Sequence, residues 1–68
     1  MDKEEIKRFV SVNLTDICYG DKPKDKDGNT YVYSSEDNDE YLIYLITPTG
    51  NKQHVANYME ETAELYFL

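Results

Sequence analysis

The chain lacks most of what small stable domains and small enzymes are built from. Among 68 residues there is one cysteine, Cys18, and no tryptophan. A lone cysteine excludes an internal disulfide framework, on which domains of this size usually depend in oxidising compartments. The start, Met1-Asp2-Lys3-Glu4-Glu5, has no apolar stretch of the signal-peptide kind, and the longest apolar run, Tyr41 to Ile46, is far too short to span a bilayer. The expectation is a cytoplasmic protein that makes no use of a membrane. Histidine is nearly absent too. His54 stands alone, with neither a cysteine nor a suitable acid beside it to suggest a nucleophile relay or a metal centre. Only three glycines are present and none forms a phosphate-cradling loop. These absences argue against an enzyme and imply no cofactor and no metal.

Positive charge is missing from one half. Residues 1 to 28 carry seven acids against six Lys or Arg, whereas residues 29 to 68 carry seven acids against Lys52 alone. The net charge of −7 therefore belongs almost wholly to the second half. Like charges held close together weaken a compact state, so their concentration points to solubility, a basic partner, or an anionic surface offered to a protein that normally binds nucleic acid. Direct nucleic-acid binding would work against this field, and the lysines are scattered among acids rather than gathered with aromatics. What the chain does have is tyrosine. Seven Tyr and two Phe favour β structure and surfaces that are half apolar and half hydrogen-bonding.

The patterning predicts one domain over residues 1–68 with a single thin core. Asp2 and Glu5 form a capping box, and Ile6, Phe9, Val10, Leu14, Ile17 and Cys18 recur at three- and four-residue spacing up to Gly20, predicting a helix over residues 3–18. Val10, Val12 and Leu14 also alternate, so a strand-like second half is the alternative. Residues 20 to 29 contain no apolar side chain and predict a solvated loop. Asp25, Asp27 and Gly28 match part of a calcium loop, but Pro23 and Ser34 occupy the positions of its first and last ligands. Strands are expected at 30–34, 41–47 and 52–56, with the acidic stretch 35–40 as one hairpin tip and Pro48-Thr49-Gly50-Asn51 as the next turn. Beyond Asn57 two readings stay open. Asn57 with Glu60 makes a second capping box before a helical face of Tyr58, Met59, Thr62, Leu65 and Tyr66, while Leu65-Tyr66-Phe67-Leu68 also reads as a strand. The expected fold class is α+β: an N-terminal helix packed on a small antiparallel meander, completed by a C-terminal helix or an additional strand.

Glu36, Asp37, Asp39 and Glu40 put four carboxylates into five residues. They read either as a solvated turn that discourages aggregation or as a mimic of the DNA backbone. Alternate strand residues lie about 6.6 Å apart and phosphates of one duplex strand advance about 3.4 Å, so strand-borne acids are spaced on a comparable scale.

The order of Gly20-Asp21-Lys22-Pro23, Tyr33, the acid-rich stretch Glu36 to Glu40 and the apolar strand Tyr41 to Ile46 resembles the phage-encoded uracil-DNA glycosylase inhibitors. In that family a DNA mimic lays acids along the enzyme's DNA groove, while an apolar pocket between sheet and helix captures a protruding leucine. The resemblance implies pocket roles for Leu42 and Tyr44, with Ile17 or Cys18 lining the remainder, and Glu4-Glu5-Ile6 is similar to the family's edge-strand acidic motif with its middle residue changed. Where the family has an acid-rich second helix, this chain has Asn13-Leu14-Thr15-Asp16-Ile17 with one acid. The implied partner-binding set is Glu4, Glu5, Glu36, Asp37, Asp39, Glu40, Leu42 and Tyr44. The implied partner is a basic-grooved host DNA enzyme, uracil-DNA glycosylase first, met by a monomer or homodimer in the host cytoplasm. A small anti-CRISPR or anti-restriction inhibitor and a toxin-neutralising immunity protein are the alternatives.

Overall fold

A computed structural model describes residues 2–37 and 39–68, with Glu36 and Asp37 described by backbone alone. Two helices, α1 (Lys3–Val12) and α2 (Leu14–Tyr19), precede four strands, β1 (Thr30–Asp37), β2 (Glu40–Ile46), β3 (Lys52–Met59) and β4 (Glu64–Phe67). The strands form one antiparallel meander in the order β1-β2-β3-β4, so the α+β expectation holds. Among the described residues no helix is long and apolar enough to cross a membrane.

The helix begins and ends where its chemistry dictates. Asp2 accepts a hydrogen bond from the Glu5 backbone N–H at 2.8 Å, and the Glu5 carboxylate accepts one from the Asp2 N–H at 3.5 Å. At the other end Gly20 adopts φ 88°, a left-handed cap, and its N–H bonds back to the carbonyls of Asp16 and Ile17. The single helix anticipated over 3–18 is instead interrupted at Asn13, whose backbone leaves the helical region at φ −105°, ψ 17° and whose side-chain Nδ2 donates to the same Phe9 carbonyl that its backbone N–H bonds in the ordinary helical pattern.

Val10, Ile17, Tyr31, Ile43, Leu45, Val55 and Ala56 are buried, with Ile6, Phe9, Leu14, Tyr58, Leu65 and Phe67 packed around them. The Phe9 ring stacks on Tyr31 with centroids 4.6 Å apart. Both helices thus cover the same face of the sheet. A bulge in β3 contributes: Ile43 pairs with Ala56 and Tyr44 with His54, leaving Val55 as the extra residue. Val55 and Ala56 both enter the core as a result.

Two expectations need correction. The first hairpin is tighter than the 35–40 tip, since β1 runs to Asp37 and pairs it with Glu40. The loop 20–29 is not uniformly solvated. Asp25 and Asn29 are buried at 9% and 8% exposure, held by hydrogen bonds described below. Of the two readings left open beyond Asn57, the strand is the one that forms: β3 continues to Met59, residues 60–63 turn, and β4 pairs with β3 through Met59↔Glu64 and Ala56↔Phe67. The competing strand reading wins because Leu65 and Phe67 extend the inner face beside Tyr58 and Ala56.

That last turn places Ala63 at φ 57°, a conformation disfavoured by a Cβ. Ala63→Gly is therefore expected to stabilise the domain by about 0.5–1 kcal/mol in urea unfolding, the relief of strain exceeding the entropic cost of glycine.

Candidate functional site

The sheet register gathers the acids. Asp37 pairs with Glu40, Glu40 with Met59 and Met59 with Glu64, while the Glu60 N–H donates to the Asp39 carbonyl at 2.9 Å. Positions 36, 37, 39, 40, 60, 61 and 64, which hold all seven acids of the second half, therefore lie at one end of the sheet. Lys52 pairs with Ile46 at the other end. Two segments separated by some twenty residues of sequence become one anionic surface. The side chains of Glu36 and Asp37 lie outside the described residues; Asp39 is exposed in the turn and Glu40 half-buried.

At this acidic end a groove of about 280 Å³ opens between α2 and the sheet. Leu14, Thr15, Cys18 and Tyr19 of α2 form one wall, Tyr41 of β2 and Tyr58 of β3 the floor, and Glu60 the rim. The Tyr41 hydroxyl donates to Glu60 Oε2 at 2.8 Å. That bond, together with the charge of Glu60, pushes the Tyr41 phenol above its ordinary pKa. Burial, with the Glu60 charge second, likewise pushes the Cys18 thiol up, which favours its neutral form in the groove wall. Tyr41 also sits between Tyr33 and Tyr58, with ring centroids 5.2 and 6.2 Å away, which makes an aromatic row across three strands. An apolar groove with an acidic rim suits an apolar side chain projecting from a positively charged surface.

Against this geometry two implied assignments are corrected. Leu42 and Tyr44 do not line the pocket between helix and sheet. Strand alternation sends Tyr41, Ile43 and Leu45 toward the helices, and Tyr44 meets His54 and Lys52 on the opposite face, with ring centroids 4.9 Å apart and Lys52 Nζ 4.4 Å above the Tyr44 ring. Ile17, meanwhile, is in the core. A one-residue difference in strand register exchanges the faces, and sequence similarity does not resolve it. Nor are Glu4 and Glu5 on an edge strand; they occupy the first turn of α1. Glu5 is engaged by Lys26 at 2.6 Å, and this bond, followed by the Asp2 N–H, holds its carboxyl below the usual range. Glu4 lies 3.8 Å from Lys7. Neither belongs to the acidic end. The residues that sequence reasoning missed are Leu14, Thr15, Tyr19, Tyr41, Tyr58 and Glu60, and the parity of Tyr41 with the inward Ile43 is the signal that marks them.

The second organised polar cluster is structural. Asp25 Oδ1 accepts from the backbone N–H of Asp27 and Asn29 at 2.9 and 3.0 Å, and Oδ2 from Asn29 Nδ2 and the Tyr31 hydroxyl at 3.0 and 2.8 Å. This network ties the polar loop to the core strand β1. Among the described residues no three His, Cys, Asp or Glu side chains are grouped as a metal site would require.

Comparison of the chain with protein-family models, curated proteins and solved structures gives no significant match.

Proposed function

We propose that this protein is an acidic DNA mimic that binds and blocks a basic-grooved host DNA-processing enzyme, with uracil-DNA glycosylase as the first target. What supports the reading is the coincidence of two features at one place: the acidic end of the sheet and the tyrosine-floored groove opening beside it. Carboxylates on strands and turns meet the Lys, Arg and helix N-termini that ordinarily hold phosphates. The groove then takes an apolar side chain of the enzyme, a contact that DNA does not offer. The mimic has no sugar, base or phosphodiester, so nothing in it is turned over. The resemblance carried by Gly20 to Ile46 also implies a pocket between sheet and helix, but it assigns that pocket to Leu42 and Tyr44, whereas Tyr41 lines the groove here.

In a uracil-excision assay, stoichiometric protein is expected to abolish product, and undiminished excision at excess protein would reject the glycosylase as target. Affinity capture from bacterial lysate with mass spectrometry then distinguishes a different nuclease or restriction enzyme from a toxin. The electrostatic part has its own test. Changing Glu36, Asp37, Asp39 and Glu40 together to the corresponding amides is expected to weaken association at least tenfold at low salt and to flatten its salt dependence, with the fold intact. Identical affinity across a salt series would return these acids to a purely solvating role.

A further inference from the structure

The helices cover one face of the sheet and leave the other to solvent. On that open face Val32, Leu42, Tyr44 and Ile46 form a half-buried apolar centre, with the His54 ring tilted against Tyr44. Its charges are segregated. Lys52 lies at one end with its ammonium over the Tyr44 ring, while the register and strand alternation put Glu40 and Glu64 at the other, where Glu64 accepts the Tyr66 hydroxyl at 2.7 Å.

We propose that this open face is the contact surface for a second copy of the chain, the two sheets packing face to face with strands antiparallel about a two-fold axis. In that orientation the apolar centres meet, and the Lys52 end of each copy lies against the Glu40 and Glu64 end of its partner. The surface is thus self-complementary, as an isologous contact requires. The opposite orientation would stack acid on acid. Aligned sheets pack about 10 Å apart, a separation that side chains of Leu, Tyr and Ile size fill from both sides. Strands of eight, seven, eight and four residues, about 4.8 Å apart and rising about 3.4 Å per residue, give a footprint of about 440 Å² per copy. An interface of that size belongs to the weak, concentration-dependent class. The groove between α2 and the sheet stays open on the other side, so self-association does not depend on the proposed inhibitory role.

Sedimentation equilibrium of the full chain from about 1 µM to 1 mM is the test, with dimer expected to appear in the upper part of that range. A monomer throughout overturns the proposal. Lys52→Glu should weaken the dimer at least tenfold, while Lys3→Glu, the same change of net charge on the helical side, should alter it less than threefold. Equal effects of the two variants would mean that net charge alone is at work and would also overturn it. Glu40→Lys/Glu64→Lys should not self-associate through this face but should form a heterodimer when mixed with Lys52→Glu. Failure of the mixture to associate, with both variants folded by circular dichroism, would rule out the antiparallel arrangement.

Discussion

Thr15→Trp is expected to fold as the parent does and, under the proposed inhibitory role, to lose at least 100-fold in inhibitory potency. Thr15 is exposed on α2 and forms part of the groove wall, so an indole placed there fills the opening without entering the core. Filling a pocket that anchors a partner side chain removes a central desolvated contact, and such contacts carry most of the energy of protein interfaces. A 100-fold loss corresponds to about 2.7 kcal/mol, within the range of a single such anchor. Val12→Ala makes the appropriate control, because Val12 is 76% exposed on α1 and takes no part in this groove. Full inhibition by Thr15→Trp would mean that the enzyme contacts the acidic surface alone.

The largest effect on stability is expected at Asp25. Asp25→Ala removes an acceptor that serves the Tyr31 hydroxyl, the Asn29 side chain and two backbone N–H groups, leaving several of these donors unsatisfied in a buried place. The expected cost is about 3 kcal/mol. A domain of this length has only about 3–10 kcal/mol in all, so the variant should be partly unfolded at 37 °C. Tyr31→Phe, which removes one donor and leaves the others paired, should cost about 1 kcal/mol. The network also predicts a pH dependence. Burial pushes the Asp25 carboxyl up, but the hydrogen bonds from Asn29, Tyr31 and Asp27 outweigh it and hold the pKa below the ordinary value of 3.8. A carboxyl depressed in the folded state stabilises the fold above its unfolded pKa, and that contribution disappears as pH falls through the folded value. Tyr31 has the opposite sign. Burial, reinforced by the bond to Asp25 and its charge, raises the phenol, so its contribution is present below the pKa of a free tyrosine, about 10, and is lost at more alkaline pH. Urea unfolding of the parent and Asp25→Ala between pH 2 and pH 7 measures the acidic limb. Parallel curves for the two proteins would show that Asp25 is not linked to folding.

Much of this fold is legible from local chemistry. The Asp2–Glu5 capping box, the apolar stripe from Ile6 to Ile17 and the Gly20 cap specify the helical region, because each depends on neighbours within four residues. The turn at Pro48-Thr49-Gly50 is legible for the same reason, with Gly50 at φ 92° closing the bend between β2 and β3. The excess of acid over base after residue 29 is likewise a property of the sequence alone. Other features depend on contacts between distant residues. Whether Leu65-Tyr66-Phe67 becomes helix or strand is decided by the free edge of β3, which offers hydrogen bonds and an inner face that no local pattern reveals. The solvent-like composition of 20–29 conceals Asp25, whose burial requires Tyr31 of the next strand as donor. The site depends on register in the same way. Tyr41, and not Leu42, faces α2 because strand pairing sets the parity of every side chain at once, and a shift of one residue reverses it. Composition alone determined that this protein is acidic; tertiary structure decided that seven acids share one end of a sheet beside a tyrosine-lined groove, because only strand pairing brings Glu40, Met59 and Glu64 side by side.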